Sequence, residues 1–183
     1  MTLGGAGHPS LRRGYAVHLY DANVSMHDRS FTNADGDMVI LPQHGALLIL
    51  SEMGSLEVQP GQVLVMPRGL RFSVVLRERQ ARGYIGEVFA KHFELPERGL
   101  VGANALADER HFVGPSVFYE DRLVPGYRMS SKLGGVLYDA RQDHSPYDVV
   151  GWHGSYLPYV YDVANFAAVN NTRVDHPDPS IFS

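Results

Sequence analysis

The sequence contains no cysteine, which excludes a disulfide scaffold and a zinc-thiolate centre. No stretch approaches ~18 consecutive apolar residues, and residues 1–10 lack both the basic and the apolar region of a secretory leader. A soluble, cytoplasmic chain is expected. Basic residues are scarce relative to acidic ones, with 16 Lys and Arg against 20 Asp and Glu and a formal charge of -4. Without a basic patch, neither a nucleic acid backbone nor an anionic membrane is an expected partner. Low-complexity segments, linker-like runs and internal repeats are also missing, which excludes solenoids and tandem arrays.

What the sequence has is enough chain for one core. Its 183 residues, 44% hydrophobic, suit a single domain over residues 1–183 that buries roughly 70% of its unfolded surface. Short apolar runs recur at Tyr15 to Tyr20, Met38 to Leu41, Ala46 to Leu50, Leu56 to Val58, Gln62 to Met66, Arg71 to Leu76 and Tyr84 to Phe89. Turn residues separate them: Asn33-Ala-Asp-Gly36, Pro42-Gln-His-Gly45, Met53-Gly54, Pro60-Gly61 and Pro67-Arg-Gly69. Between about 93 and 112 the chain is too rich in Gly, Pro and charge for a strand, and at most one helical turn is expected near Ala105 to Arg110. Strand-like pieces return at Val113 to Tyr119, Tyr127 to Lys132, Val136 to Asp139 and Val149 to Trp152. The pattern predicts a mainly β fold, an antiparallel sandwich or barrel with a core over about 14–92 and 113–170, a long irregular excursion and little helix.

Nine histidines raise the question of a metal, because histidine is the commonest metal ligand. Two ligands on a strand need spacing i, i+2, and on a helix i, i+3 or i+4. His8, His18, His27, His44, His92, His111, His144, His153 and His176 form no such pair. No local metal motif exists.

The segment Gly61-Gln-Val-Leu-Val-Met-Pro67-Arg-Gly69-Leu-Arg-Phe72 resembles the second motif of the cupin superfamily, in which a metal-binding His stands three residues after the last Gly. Phe72 holds that position. Asn33-Ala-Asp35 and Gly45 fall where the first motif is due, without its imidazoles. The resemblance implies a small antiparallel cupin-like jelly roll whose metal centre has been erased. Read without it, the same glycines and prolines are ordinary hairpin turns.

A broader resemblance runs through Tyr15-Ala-Val-His-Leu-Tyr20, Asn33-Ala-Asp-Gly-Asp37, Val58-Gln-Pro-Gly61, Pro67-Arg-Gly-Leu-Arg-Phe72 and His92-Phe-Glu-Leu-Pro96. It continues through Val101-Gly-Ala-Asn104, Tyr119-Glu-Asp-Arg122, Ser145-Pro-Tyr-Asp-Val-Val-Gly-Trp-His-Gly154 and Asp175-His-Pro-Asp-Pro-Ser-Ile-Phe182. In order and spacing the chain resembles the interior of the homogentisate 1,2-dioxygenase family. That resemblance implies cleavage of the homogentisate ring by O2 to maleylacetoacetate, in tyrosine and phenylalanine catabolism, with mononuclear non-haem Fe(II). It implies trimers that pair into hexamers. It also implies that the family's first residues and its C-terminal iron-binding part are absent here, an expectation in keeping with the apolar pair in the closing Ile181-Phe182-Ser183. No iron ligand transfers to this chain, and none is expected to bind to it alone.

One functional residue carries over. Trp152-His153-Gly154 matches the family segment whose histidine acts as acid-base catalyst, which implies that role for His153. Without the resemblance, the residue reads first as a satisfied histidine at a strand end between aromatic neighbours. The other histidines read as ordinary. Tyr156 to Tyr161 either line an approach to the site or pack with satisfied hydroxyls, and Glu120-Asp-Arg122 is a charged loop or a subunit contact. Two functions follow: the central part of a dioxygenase, or a non-catalytic truncated cupin-like module with a structural or partner-binding role.

Overall fold

The computed structural model describes residues 1–95, 108–149 and 156–166. The strands are β1 Thr2–His8, β2 Arg13–Ala22, β3 Arg29–Asn33, β4 Asp37–His44, β5 Leu47–Ser51, β6 Gly54–Val58, β7 Gln62–Met66, β8 Arg71–Leu76, β9 Ala81–Val88, β10 Phe112–Val113, β11 Leu123–Leu133, β12 Val136–His144 and β13 Tyr159–Asp162. They form a seven-stranded sheet in the order β1-β2-β9-β4-β7-β13-β10 and a six-stranded sheet in the order β12-β11-β3-β8-β5-β6. Helix is limited to single 3-10 turns at Pro9–Leu11, Glu109–His111 and Val163–Asn165 among the described residues. The mainly β, antiparallel architecture is as expected, with one departure: β3 and β11 run parallel.

The two sheets face each other across one core. Met38, Ile40, Leu64, Met66 and Val160 from the first sheet pack with Leu47, Ile49, Leu56, Val58 and Phe72 from the second. Alternation puts them there: in β5 Leu47, Ile49 and Ser51 are buried while Leu48 and Leu50 are not, as a period of two requires.

Three strands depart from the expected pattern. β1 is fully exposed along its length and glycine-rich, so side-chain patterning cannot reveal it; it is held by backbone pairing to β2. A Cβ at Gly5 would lie 2.4 Å from the Tyr15 carbonyl oxygen, so this close approach of two backbones needs glycine. β3 buries Ser30, Thr32 and Asn33, polar residues that a hydrophobic pattern misses. The expected strand Val113 to Tyr119 is only β10 plus an isolated bridge between Ser55 and Ser116. Gly114 and Pro115 break it, since proline offers no N–H to a ladder. Of the helical turn expected near Ala105 to Arg110, a 3-10 turn forms at Glu109–His111. Val150 to Trp152 lie outside the described residues.

A hydroxyl cluster ties the later chain to the six-stranded sheet. Ser73 Oγ donates to the Arg29 carbonyl oxygen at 2.7 Å, which leaves its lone pairs to accept from the Tyr147 hydroxyl at 2.7 Å and the Tyr127 hydroxyl at 3.3 Å. All three side chains are buried, and burial pushes the Tyr147 phenol well above its ordinary pKa. Tyr147→Phe removes one of these bonds and is expected to cost about 1 kcal/mol. The expected result is a lower urea midpoint at unchanged slope; an unmoved midpoint would mean that the bond gives no net stabilisation.

Candidate functional site

The densest polar cluster gathers where β3 turns into β4, on the segment Asn33-Ala-Asp-Gly-Asp37. Asn33 ends β3, and its Oδ1 accepts from the Asp35 N–H at 3.1 Å, a side-chain turn that shapes the bend. Its Nδ2 donates to Glu87 Oε1 at 2.7 Å. Glu87 is the single acid of β9 and is 2% exposed. Lys132, near the end of β11, reaches both its oxygens at 2.6 and 2.5 Å, and His18 Nε2 lies 3.2 Å from Oε2. The ammonium also stands 5.5 Å from the Phe89 ring centroid, in cation–π range.

Asp35 is bound by backbone. The β11–β12 hairpin turns through Gly134 and Gly135, both at positive φ (62° and 80°), as a two-residue primed turn requires. Their N–H groups donate to Asp35 at 2.6 and 2.8 Å, and Lys132 Nζ lies 3.6 Å away. Asp37, also buried, accepts from the N–H groups of Arg68 and Phe93, each at 2.8 Å. It pairs with His92 Nδ1 at 3.0 Å. A proton on Nδ1 leaves Nε2 free to accept from the Arg68 guanidinium at 3.5 Å. Tyr156 completes this corner: its hydroxyl donates to the Arg68 carbonyl oxygen at 2.8 Å, and its ring meets His92 edge-on at 5.1 Å.

Every carboxylate here is thus occupied by N–H donors or by the Lys132 ammonium. Such an arrangement positions strand ends, and it leaves none of these carboxylates as a free base. Phe72, where the cupin pattern places a ligating His, is in the core with its ring edge-on to Phe31, centroids 5.8 Å apart. Asp35 of the first-motif region serves the hairpin glycines.

His153 lies outside the described residues, as do Trp152, Gly154 and His176. His8, His27, His44, His111 and His144 are on the surface, whereas His18 and His92 meet buried carboxylates. In the tyrosine-rich stretch, Tyr161 is buried and stacks on Phe112 at 4.5 Å, with Tyr159 edge-on to the same ring. Glu120 and Arg122 form a surface ion-pair chain to Asp28. Sequence reasoning missed Glu87 and Lys132. The available signal was an acid in the middle of an otherwise apolar strand run, where a partner must exist if the residue faces inward.

A family model described as "Homogentisate 1,2-dioxygenase N-terminal" matches residues 1–163. Homogentisate 1,2-dioxygenase of Homo sapiens is 50% identical over 183 residues, all of this chain and 41% of the relative. The enzyme of Oryza sativa subsp. japonica is 49% identical over 180 residues, 98% of this chain and 38% of the relative. The chain therefore spans about two fifths of the length of these curated relatives. Among solved structures, a cupin-2 domain protein from Shewanella frigidimarina is 23% identical, covers 40% of this chain and 70% of its own, and gives a TM-score of 0.36. The Ylba protein of E. coli is 12% identical, covers 89% and 78%, and also gives 0.36. These structural likenesses are loose; the sequence match is not, and by it the chain belongs to the homogentisate 1,2-dioxygenase family.

Proposed function

We propose that the chain is a segment of a homogentisate 1,2-dioxygenase and supplies it with a proton-transferring histidine, His153. The observation that carries this reading is the family match over residues 1–163. In the complete enzyme, homogentisate and O2 are converted to maleylacetoacetate in the cytoplasm, in the breakdown of tyrosine and phenylalanine, by copies assembled as trimers or hexamers. His153 takes a phenolic proton from the substrate, a task suited to an imidazole whose ordinary pKa is about 6.5.

The cofactor of this reaction is Fe(II), which supplies the redox chemistry that lets triplet O2 attack a singlet aromatic. Iron of this kind takes two His and one carboxylate on one face, and the described residues do not fit it. They contain no group of three or more His, Asp or Glu able to hold a metal. Phe72 puts a ring where the cupin pattern puts a ligand. Each carboxylate oxygen of Glu87, Asp35 and Asp37 already accepts from an ammonium or N–H group. The ligands are assigned to the part of the complete enzyme outside these 183 residues.

The test is to load the purified 183 residues anaerobically with Fe(II), measure retained iron, and follow O2 uptake with homogentisate. No stoichiometric iron and no uptake are expected from the chain alone, with uptake appearing once the separately produced remainder of the enzyme is added. Stoichiometric iron together with turnover by the chain alone would overturn the proposal. Continued inactivity of a correctly assembled mixture would favour a non-catalytic module.

A further inference from the structure

A cavity of about 460 Å³ lies between the sheets, on the side where β2 and β9 face β3, β8 and β11. Protein interiors are normally filled to crystal-like density, and volumes of roughly 300–1,000 Å³ are those of small-ligand sites. Its walls are mainly apolar: Phe31, Ile40, Phe72, Val74, Leu76 and Ile85. Phe31, Val74, Leu76 and Ile85 pack against the core yet stay only partly buried, and all four line the cavity.

Arg29, Ser30, Arg128, Ser130 and Tyr20 are the polar residues of the lining. Arg29 stands at the exposed rim, and its guanidinium has no hydrogen-bond or ion-pair partner among the described residues. The neighbouring rim cation, Arg128, is by contrast held by Asp139 at 2.6 Å.

We infer that this cavity binds a small amphipathic monocarboxylate, its apolar body against Phe31, Phe72, Val74 and Ile85 and its carboxylate on the Arg29 guanidinium. A neutral apolar molecule would fill the space but leave Arg29 unused. A cation would face Arg29 and Arg128 together. Guanidinium matches a carboxylate with two parallel N–H donors, which also fixes the ligand's direction. The site is separate from the His153 reading: the failure of either leaves the other standing.

Octanoate is a suitable probe, with octan-1-ol as its uncharged counterpart. Met26 and Met38 line the cavity, whereas Met1, Met53, Met66 and Met129 do not, so the protein labelled with 13C at the methionine methyls reports the place of binding. Octanoate is expected to shift the Met26 and Met38 signals saturably and to leave the other four unmoved. Octan-1-ol is expected to bind about tenfold more weakly, the difference a charge-assisted hydrogen bond makes. Arg29→Gln, at an exposed position that leaves the core intact, should bring octanoate down to the affinity of the alcohol and leave the alcohol's own affinity unchanged. The inference is overturned if neither cavity methionine shifts, if all six methionines shift together, or if Arg29→Gln binds octanoate as tightly as the parent chain.

Discussion

His153→Gln, in the enzyme assembled from this chain and its remainder, is expected to lower kcat by about 10²–10⁴-fold, the usual worth of a positioned acid-base group. Glutamine keeps much of the length and the hydrogen-bonding capacity of histidine but has no titratable nitrogen near neutral pH. The substrate's phenolic proton would then have to leave to water. Iron occupancy should change far less than kcat, because the proposed role is proton transfer and not ligation. The measurement is a pair of numbers on the same preparation, bound iron and turnover. If both fall by the same factor, the residue holds the metal or the fold, and the acid-base assignment fails. A pH profile adds a second check: the acidic limb of kcat, produced by protonating His153, should vanish in the variant.

The second large effect concerns stability. Lys132→Met leaves Glu87 buried at 2% exposure with Asn33 and His18 but no full counter-charge. Breaking a buried pair by removing one partner costs about 3–5 kcal/mol. Because Lys132 retains 20% exposure, the lower end of that range is the better expectation. For a chain of this length the same loss is a fall in Tm of roughly 6–12 °C. Glu87→Leu alone should also destabilise, since it strands the Asn33 amide and the Lys132 ammonium. The double variant Glu87→Leu with Lys132→Met should cost clearly less than the two singles summed, because apolar side chains replace both charges at once. Urea unfolding of the four proteins closes this cycle. Additive costs would show that the two side chains act independently, contrary to the contacts described.

Much of the fold is legible in the chain because it depends on local rules. β7 and β8 coincide residue for residue with the runs Gln62 to Met66 and Arg71 to Leu76, whose bounding turns carry Pro60-Gly61 and Pro67-Arg-Gly69. β1 and β3 are not legible in this way. The first is held mainly by backbone pairing, with one side-chain bond from Thr2 to His18, and the second buries hydroxyl and amide groups. The polar cluster escapes sequence reasoning for a different reason. Glu87 lies 54 residues from Asn33 and 45 from Lys132, so its partners are set by sheet register and not by spacing. A search for closely spaced histidines passes over His18 and His92, each of which meets a lone buried carboxylate. The parallel pairing of β3 with β11 is likewise a product of topology, invisible to any window of a few residues.

The position of β13 has a consequence for how the molecule is made. β13 lies between β7 and β10 in the seven-stranded sheet, yet it is residues 159–162, and β11 reaches β3 only after some ninety residues of intervening chain. At ~5–20 residues per second on the ribosome, the nascent chain carries β7 for several seconds with one edge unpaired and Leu64, Val65 and Met66 beside it. Pairings over such long separations form slowly, and open apolar edges are templates for wrong partners. The strand that shields this edge is therefore made only at residues 159–162, and until it arrives the nascent chain is open to misassembly along β7.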